Sequence, residues 1–151
     1  MDIKGKTVWQ IAAGNGDNTH YAKECLRDGI ILIGPGGRGP WPDCEAAVRK
    51  DRNAIMAGII RRFAEDILVG DVVVLRVGTQ HAYGVGVVTG AYSWSEKYSN
   101  VQGWDLQHHR TVRWIWKADP APKQFPVYSL KFGSSVQRLI SPEVMRWIES
   151  L

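Results

Sequence analysis

IILIGPGGRGPWPD, residues 30–43, admits two readings that lead to different architectures. An apolar run meets glycines at Gly34, Gly36 and Gly39, and their spacing matches G-x-G-x-x-G. On the first reading this is the turn of a dinucleotide-binding βα unit. Such a turn must open directly into a helix whose first amides hold the pyrophosphate. Here Pro40 and Pro42 follow, neither has an amide to donate, and helical patterning begins only at Glu45. The acidic ribose ligand should end the next strand, but a long helical pattern stands there instead. The second reading therefore holds: a strand leaves the core into a stiff loop whose glycines permit close backbone approach. The loop would carry Trp41 and Arg38 on its rim. Gly5-Lys6-Thr7 lacks the upstream glycine of a phosphate loop.

On the N-terminal side, TVWQIAA (7–13) is a β-prone run, broken by GNGDN. A short helix follows over residues 20–28, with Asn18 or Thr19 as its cap and Gly29 as its stop. On the C-terminal side, residues 45–68 read as the longest helix. Val48, Arg52, Ile55, Met56, Ile59, Ile60, Phe63 and Ile67 recur at three- and four-residue spacing, all apolar except Arg52. VGDVVVLRV then turns into a strand. AYGVGVVTGAY is a second one, bent or bulged at Gly84, Gly86 and Gly90. After a polar-aromatic loop, RTVRWIW (110–116) alternates as a strand, and DPAP breaks it. FPVYSLKF is a further strand or an irregular segment. SSVQRLI reads as a short helix, and SPEVMRWIESL as a terminal one, with Ser141 as cap and Pro142 in the first turn. The sum is one α+β domain over residues 1–151, built on a curved, mostly antiparallel sheet or partial barrel with peripheral helices.

The totals narrow the function. A chain of 151 residues buries a real core, and a net charge of +4 with a pI near 9.2 is compatible with a polyanionic partner. Cys25 and Cys44 are not in C-x-x-C, and no His/Cys set has zinc spacing, so free thiols and no metal or cofactor are expected. No apolar signal core or membrane-length run is present, which implies a cytoplasmic protein without membrane association.

No catalytic constellation assembles from the sequence. Cys25 lies inside a short helix, Ser93 and Ser95 lack a nucleophile-elbow context, and His108 and His109 adjoin a strand, where neighbours point to opposite faces. The aromatics say more. Of seven tryptophans, Trp9, Trp114, Trp116 and Trp147 lie in strands or a helix and suit a core. Trp41, Trp94 and Trp104 lie in Gly-, Pro- or Ser-rich loops, with Tyr92 and Tyr98 around Trp94. Loop tryptophans either pack beneath their loop or wall a pocket for a planar or cationic ligand.

The order VWQIAAG…YAKECLRDGIILIG, then GDVVVLRV…YGVGVVTGAYSW, then HHRTVRWIW, resembles the PUA-like superfamily, and within it EVE and YTH domains. The specificity domains of some modification-dependent restriction enzymes are similar. The resemblance spans residues 8–140. It implies a curved β-barrel with outer helices that binds a modified nucleobase, flipped from nucleic acid (DNA foremost), as the recognition module of a restriction or defence system. It implies no catalysis, so any cleavage would come from a nuclease domain or subunit.

Carried onto this chain, the likeness places base-reading groups at Ala13, Gly14, Asn15, Asp17 and Asn18. Tyr92, Ser93, Trp94 and Trp104 form the aromatic side. YTH domains carry a cage tryptophan where this chain has Ile30 and Ile31. Either Trp41 swings back to complete the cage or the pocket has two aromatic walls. Arg38, Lys97, His108, His109 and Arg110 lie in or near the same loops and are candidate phosphate contacts. A general RNA-binding PUA-like module and a small ASCH-like hydrolase using Cys25 or a lysine are the other readings.

Overall fold

A computed structural model describes residues 1–16, 19–131 and 133–151, with only the backbone of Asn15 and Thr19. In chain order the elements are β1 (Val8–Ala12), β2 (Gly14–Gly16), β3 (Thr19–His20), α1 (Ala22–Asp28), β4 (Ile30–Ile33), α2 (Glu45–Asp51) and α3 (Ala54–Arg61). There follow a π-turn (Arg62–Asp66), β5 (Val72–Val77), β6 (His81–Val88), β7 (Ser93–Trp94), a 3-10 turn (Glu96–Tyr98), β8 (His108–Lys117), β9 (Lys123–Gln124), β10 (Val136–Arg138) and α4 (Pro142–Glu149).

The fold is α+β, with a curled, mostly antiparallel half-barrel sheet in the order β10-β1-β5-β6-β8-β4. Only β1 and β5 pair in parallel among these neighbours. β5, VVVLRV, is buried at every position, as a β-branched run covered on both faces should be. Alternation sorts the side chains. Trp9, Ile11, Val73 and Leu75 join a core with Ile31, Ile60 and Phe63. Val8, Val72 and Val74 join a second core with Leu130, Val144 and Ile148 of α4.

The curl has a local cause. Register shifts fall between Leu75 and Arg76 and between Val85 and Gly86. Trp114 lies so close over β6 that a Cβ on Gly84 or Gly86 would sit 3.0 or 2.8 Å from its ring. The expected bend at these glycines is thus a bulge with an aromatic packed into it. β8 is long enough to serve three neighbours. Its first half pairs with β4 and β7, and its second half with β6.

Two expectations are corrected here. Residues 45–68 are not one helix. Asn53 interrupts the run, and its side chain accepts the Met56 amide at 2.7 Å to cap α3. The break shifts the helical phase, so Ile55 faces solvent at 77% exposure although it belongs to the apolar stripe. SSVQRLI is not helical either, for Val136–Arg138 forms β10 against the edge of β1. FPVYSLKF is irregular over its described residues, burying Phe125 and Leu130. Elsewhere α1 ends at Gly29 with φ 65°, and α4 begins with Pro142 in its first turn. No helix among the described residues is long and apolar enough to cross a membrane.

Candidate functional site

The glycine loop after β4 is packed against residues 105–107. A Cβ on Gly34 would meet the Asp105 carbonyl at 2.6 Å, and one on Gly36 would meet Gln107 Oε1 at 2.2 Å. The amides a phosphate would need are already in use. Gly36 N–H and Gly37 N–H both reach Asp105 Oδ2, at 3.2 and 3.1 Å. The indole N–H of Trp94 donates to the Gly36 carbonyl at 2.8 Å. So Trp94 clamps the loop by its polar edge, and the chain's own carboxylate fills the anion position.

Beside this clamp runs a partly buried chain of hydrogen bonds. His108 Nε2 lies 3.0 Å from the Pro35 carbonyl, and its Nδ1 lies 2.6 Å from the Tyr92 hydroxyl. The same hydroxyl accepts the Trp41 amide at 2.9 Å. A carbonyl only accepts, so Nε2 carries a proton; in the neutral ring, the form that burial favours, Nδ1 accepts from the Tyr92 hydroxyl. Burial pushes the His108 imidazole below its ordinary pKa and the Tyr92 phenol up to about 12.

His108 is fully buried and therefore not a phosphate contact. Arg110 is corrected for the same reason. It is 3% exposed, and its guanidinium donates to the carbonyls of Gly90, Phe63 and Ile67. Both point inward with Val112 on the period of two that β8 imposes, a signal present in the sequence. Of the remaining cations, Arg38 pairs with Asp51 at 3.0 Å, and Lys97 lies over the Tyr98 ring at 5.4 Å. His109 is half-buried with its edge toward Tyr98.

The loop tryptophans go to different partners. Trp41 donates its indole N–H to Glu65 at 2.9 Å, on the α3 side. Trp104 meets Tyr21 edge-on at 5.0 Å, and the Tyr21 hydroxyl donates to the Ala12 carbonyl at the end of β1. Among the described residues no ring contact joins two of Trp41, Trp94 and Trp104. Gln102 reaches the His20 carbonyl and Glu24, each at 3.0 Å, so loop 99–105 folds onto β3 and the first turn of α1. Ala13 is buried, Gly14 borders a cavity, and Ser93 is exposed on β7. Asp17, Asn18 and the Asn15 side chain lie outside the described residues.

Two cavities border the β2–β3 ribbon, one at His20 of β3 and the other at Gly14 of β2. A groove of about 440 Å³ holds His20 and Tyr83, whose rings are 5.1 Å apart, among Lys23, Arg27 and Lys117, with Pro120 at its wall. Arg27 is paired with Asp28 at 2.8 Å. A smaller cavity of about 180 Å³ lies between Gly14, Arg76, Gly78 and residues 133–135. Sequence reasoning passed over Arg76, His20, Tyr83, Lys23 and Lys117 as site residues. Arg76 alone left a trace, as the single charge inside VVVLRV.

Cys25 is fully buried, and burial pushes its thiol far above the ordinary range, which withholds a thiolate nucleophile. Among the described residues no group of three His, Cys, Asp or Glu is placed to hold a metal ion. The family model described as Domain of unknown function (DUF8426) matches residues 9–138. None of the curated proteins matches the chain.

Proposed function

Since the chain belongs to the DUF8426 family, a domain of unknown function, its role must be argued from the site, and we propose that it is a PUA-like module binding a modified nucleobase flipped out of nucleic acid. DNA is the favoured polymer, and the setting is a restriction or defence system in which any cleavage belongs to another domain or subunit. The observation that carries this reading is the groove beside the β2–β3 ribbon, where flat rings and cations occur together. A base needs a planar surface, and its flanking phosphates need positive charge. Tyr83 and His20 supply the first, and Lys23 and Lys117 the second. Extruding a base costs a few kcal/mol, and each base–aromatic stack returns about 1–3 kcal/mol. Trp104 packs edge-on against Tyr21, the residue that follows His20 of the groove. The order of motifs shared with EVE and YTH domains supports the choice of a modified base over an ordinary one.

The test is fluorescence anisotropy on oligonucleotides with 5-methylcytosine, 5-hydroxymethylcytosine, N6-methyladenine or no modification, as DNA and as RNA, single- and double-stranded. One modified DNA should bind at least about tenfold tighter than its parent, and Tyr83→Ala should weaken it by about 1–3 kcal/mol. Replacing Lys23 and Lys117 with Glu should flatten the salt dependence. Equal affinity for every oligonucleotide would remove the reading, and preference for unmodified structured RNA would replace it with general RNA binding.

A further inference from the structure

The smaller cavity encloses a cation with bonding capacity to spare. Arg76, near the end of β5, is 4% exposed. A guanidinium has five N–H donors. One of them goes from Nη1 to the Gly78 carbonyl and one from Nη2 to the Ser134 carbonyl, both at 2.9 Å. Nε is buried without a partner. The ion pairs among the described residues lie elsewhere, so no described carboxylate answers this charge. Arg62 approaches the same loop from outside, with Nη1 at 2.6 Å from the Val136 carbonyl and 3.4 Å from Ser134 Oγ.

Arg110 is also buried among carbonyls, but its Nε, Nη1 and Nη2 all have partners; Arg76 leaves Nε buried without one, and a buried charge so left is costly until a partner completes its shell. The walls favour such a guest. Gly14, Gly78 and Gly133 line the cavity with backbone. The amides of Gly133, Ser134 and Ser135 donate to nothing among the described residues. At about 180 Å³ the space is smaller than a drug-sized pocket and suits one compact group.

We propose that this cavity is a phosphate site, in which Arg76 and the donors of residues 133–135 grip one phosphate group of a nucleotide or free phosphate. The inference stands without the base-reading proposal, because the ligand is the phosphate whatever base it carries.

The experiment titrates the intact chain by calorimetry with inorganic phosphate and, separately, with a nucleoside 5′-monophosphate, against chloride at equal ionic strength. Saturable binding of both is expected. Tighter binding of the nucleotide identifies a nucleotide as the source, and equal binding identifies free phosphate. Arg76→Gln should lose at least about tenfold in phosphate affinity. As a second variant, Ser135→Asp brings a carboxylate to the same wall. It should abolish phosphate binding and raise the phosphate-free melting temperature by satisfying Arg76 internally. A phosphate titration matching chloride would overturn the proposal, and so would unchanged phosphate affinity in Ser135→Asp.

Discussion

His108 shows how one buried side chain ties a loop to a sheet and gives the fold a pH dependence. Its two ring nitrogens join Pro35 to Tyr92, and through Tyr92 the backbone of Trp41. Burial lowers its affinity for a proton in the folded state, so on acidification the unfolded chain takes up that proton first. The stability gained by keeping His108 neutral is whole above the ordinary imidazole pKa of about 6.5. It is lost as the pH falls from there toward the lower folded value. Urea titrations at pH 8 and pH 5.5 should show the wild-type midpoint falling further than that of His108→Gln. Parallel falls would mean that His108 titrates alike in both states. The histidine was visible in the sequence as a candidate phosphate ligand, but a strand residue of the wrong parity cannot reach solvent. That parity, not the residue type, settles its role.

Among the elements, the interrupted helix is the most instructive. The sequence carries an apolar stripe across residues 45–68, and the stripe survives at Val48, Ile59, Ile60, Phe63 and Ile67. It fails at Ile55 because Asn53 starts a new helix by capping Met56. Asn53→Ala should cost about 0.5–2 kcal/mol, measured by urea denaturation, with α2 and the sheet unaffected. A smaller loss would show that tertiary packing, rather than the cap, holds the start of α3. The strands β5, β6 and β8 were legible because long β-branched or alternating runs are bounded by turns. The three-residue β10 was not, for so short a segment has no period to detect and takes its conformation from the edge of β1. The site was legible only in its outline. The loop tryptophans announced an aromatic surface, but Trp41 and Trp94 spend their indole N–H groups on Glu65 and Gly36. The groove around Tyr83 and the cavity around Arg76 are assembled from distant segments, which no local pattern reports.

Across the whole molecule, the sheet divides into near and far partners in the chain. β5, β6 and β8 follow one another as antiparallel neighbours. β1 must find β5 across a long intervening segment, with Val8 opposite Val72, and β10 must return from the far end to set Arg138 opposite Trp9. Loop-closure entropy makes such distant pairings late, so β1 and β10 are expected to dock on a meander already formed. The Arg76 cavity straddles this seam, with Ala12 and Gly14 from the β1 side, Gly78 from the β5 side and residues 133–135 leading into β10. A phosphate bound there would bridge contacts absent from the folding transition state. In stopped-flow chevrons, saturating phosphate should slow unfolding and leave the refolding rate unchanged. Faster refolding with phosphate would instead put the seam in the nucleus. Through the parallel β1–β5 pair such a ligand would act as a kinetic latch, on how long the native state lasts rather than on how quickly it forms.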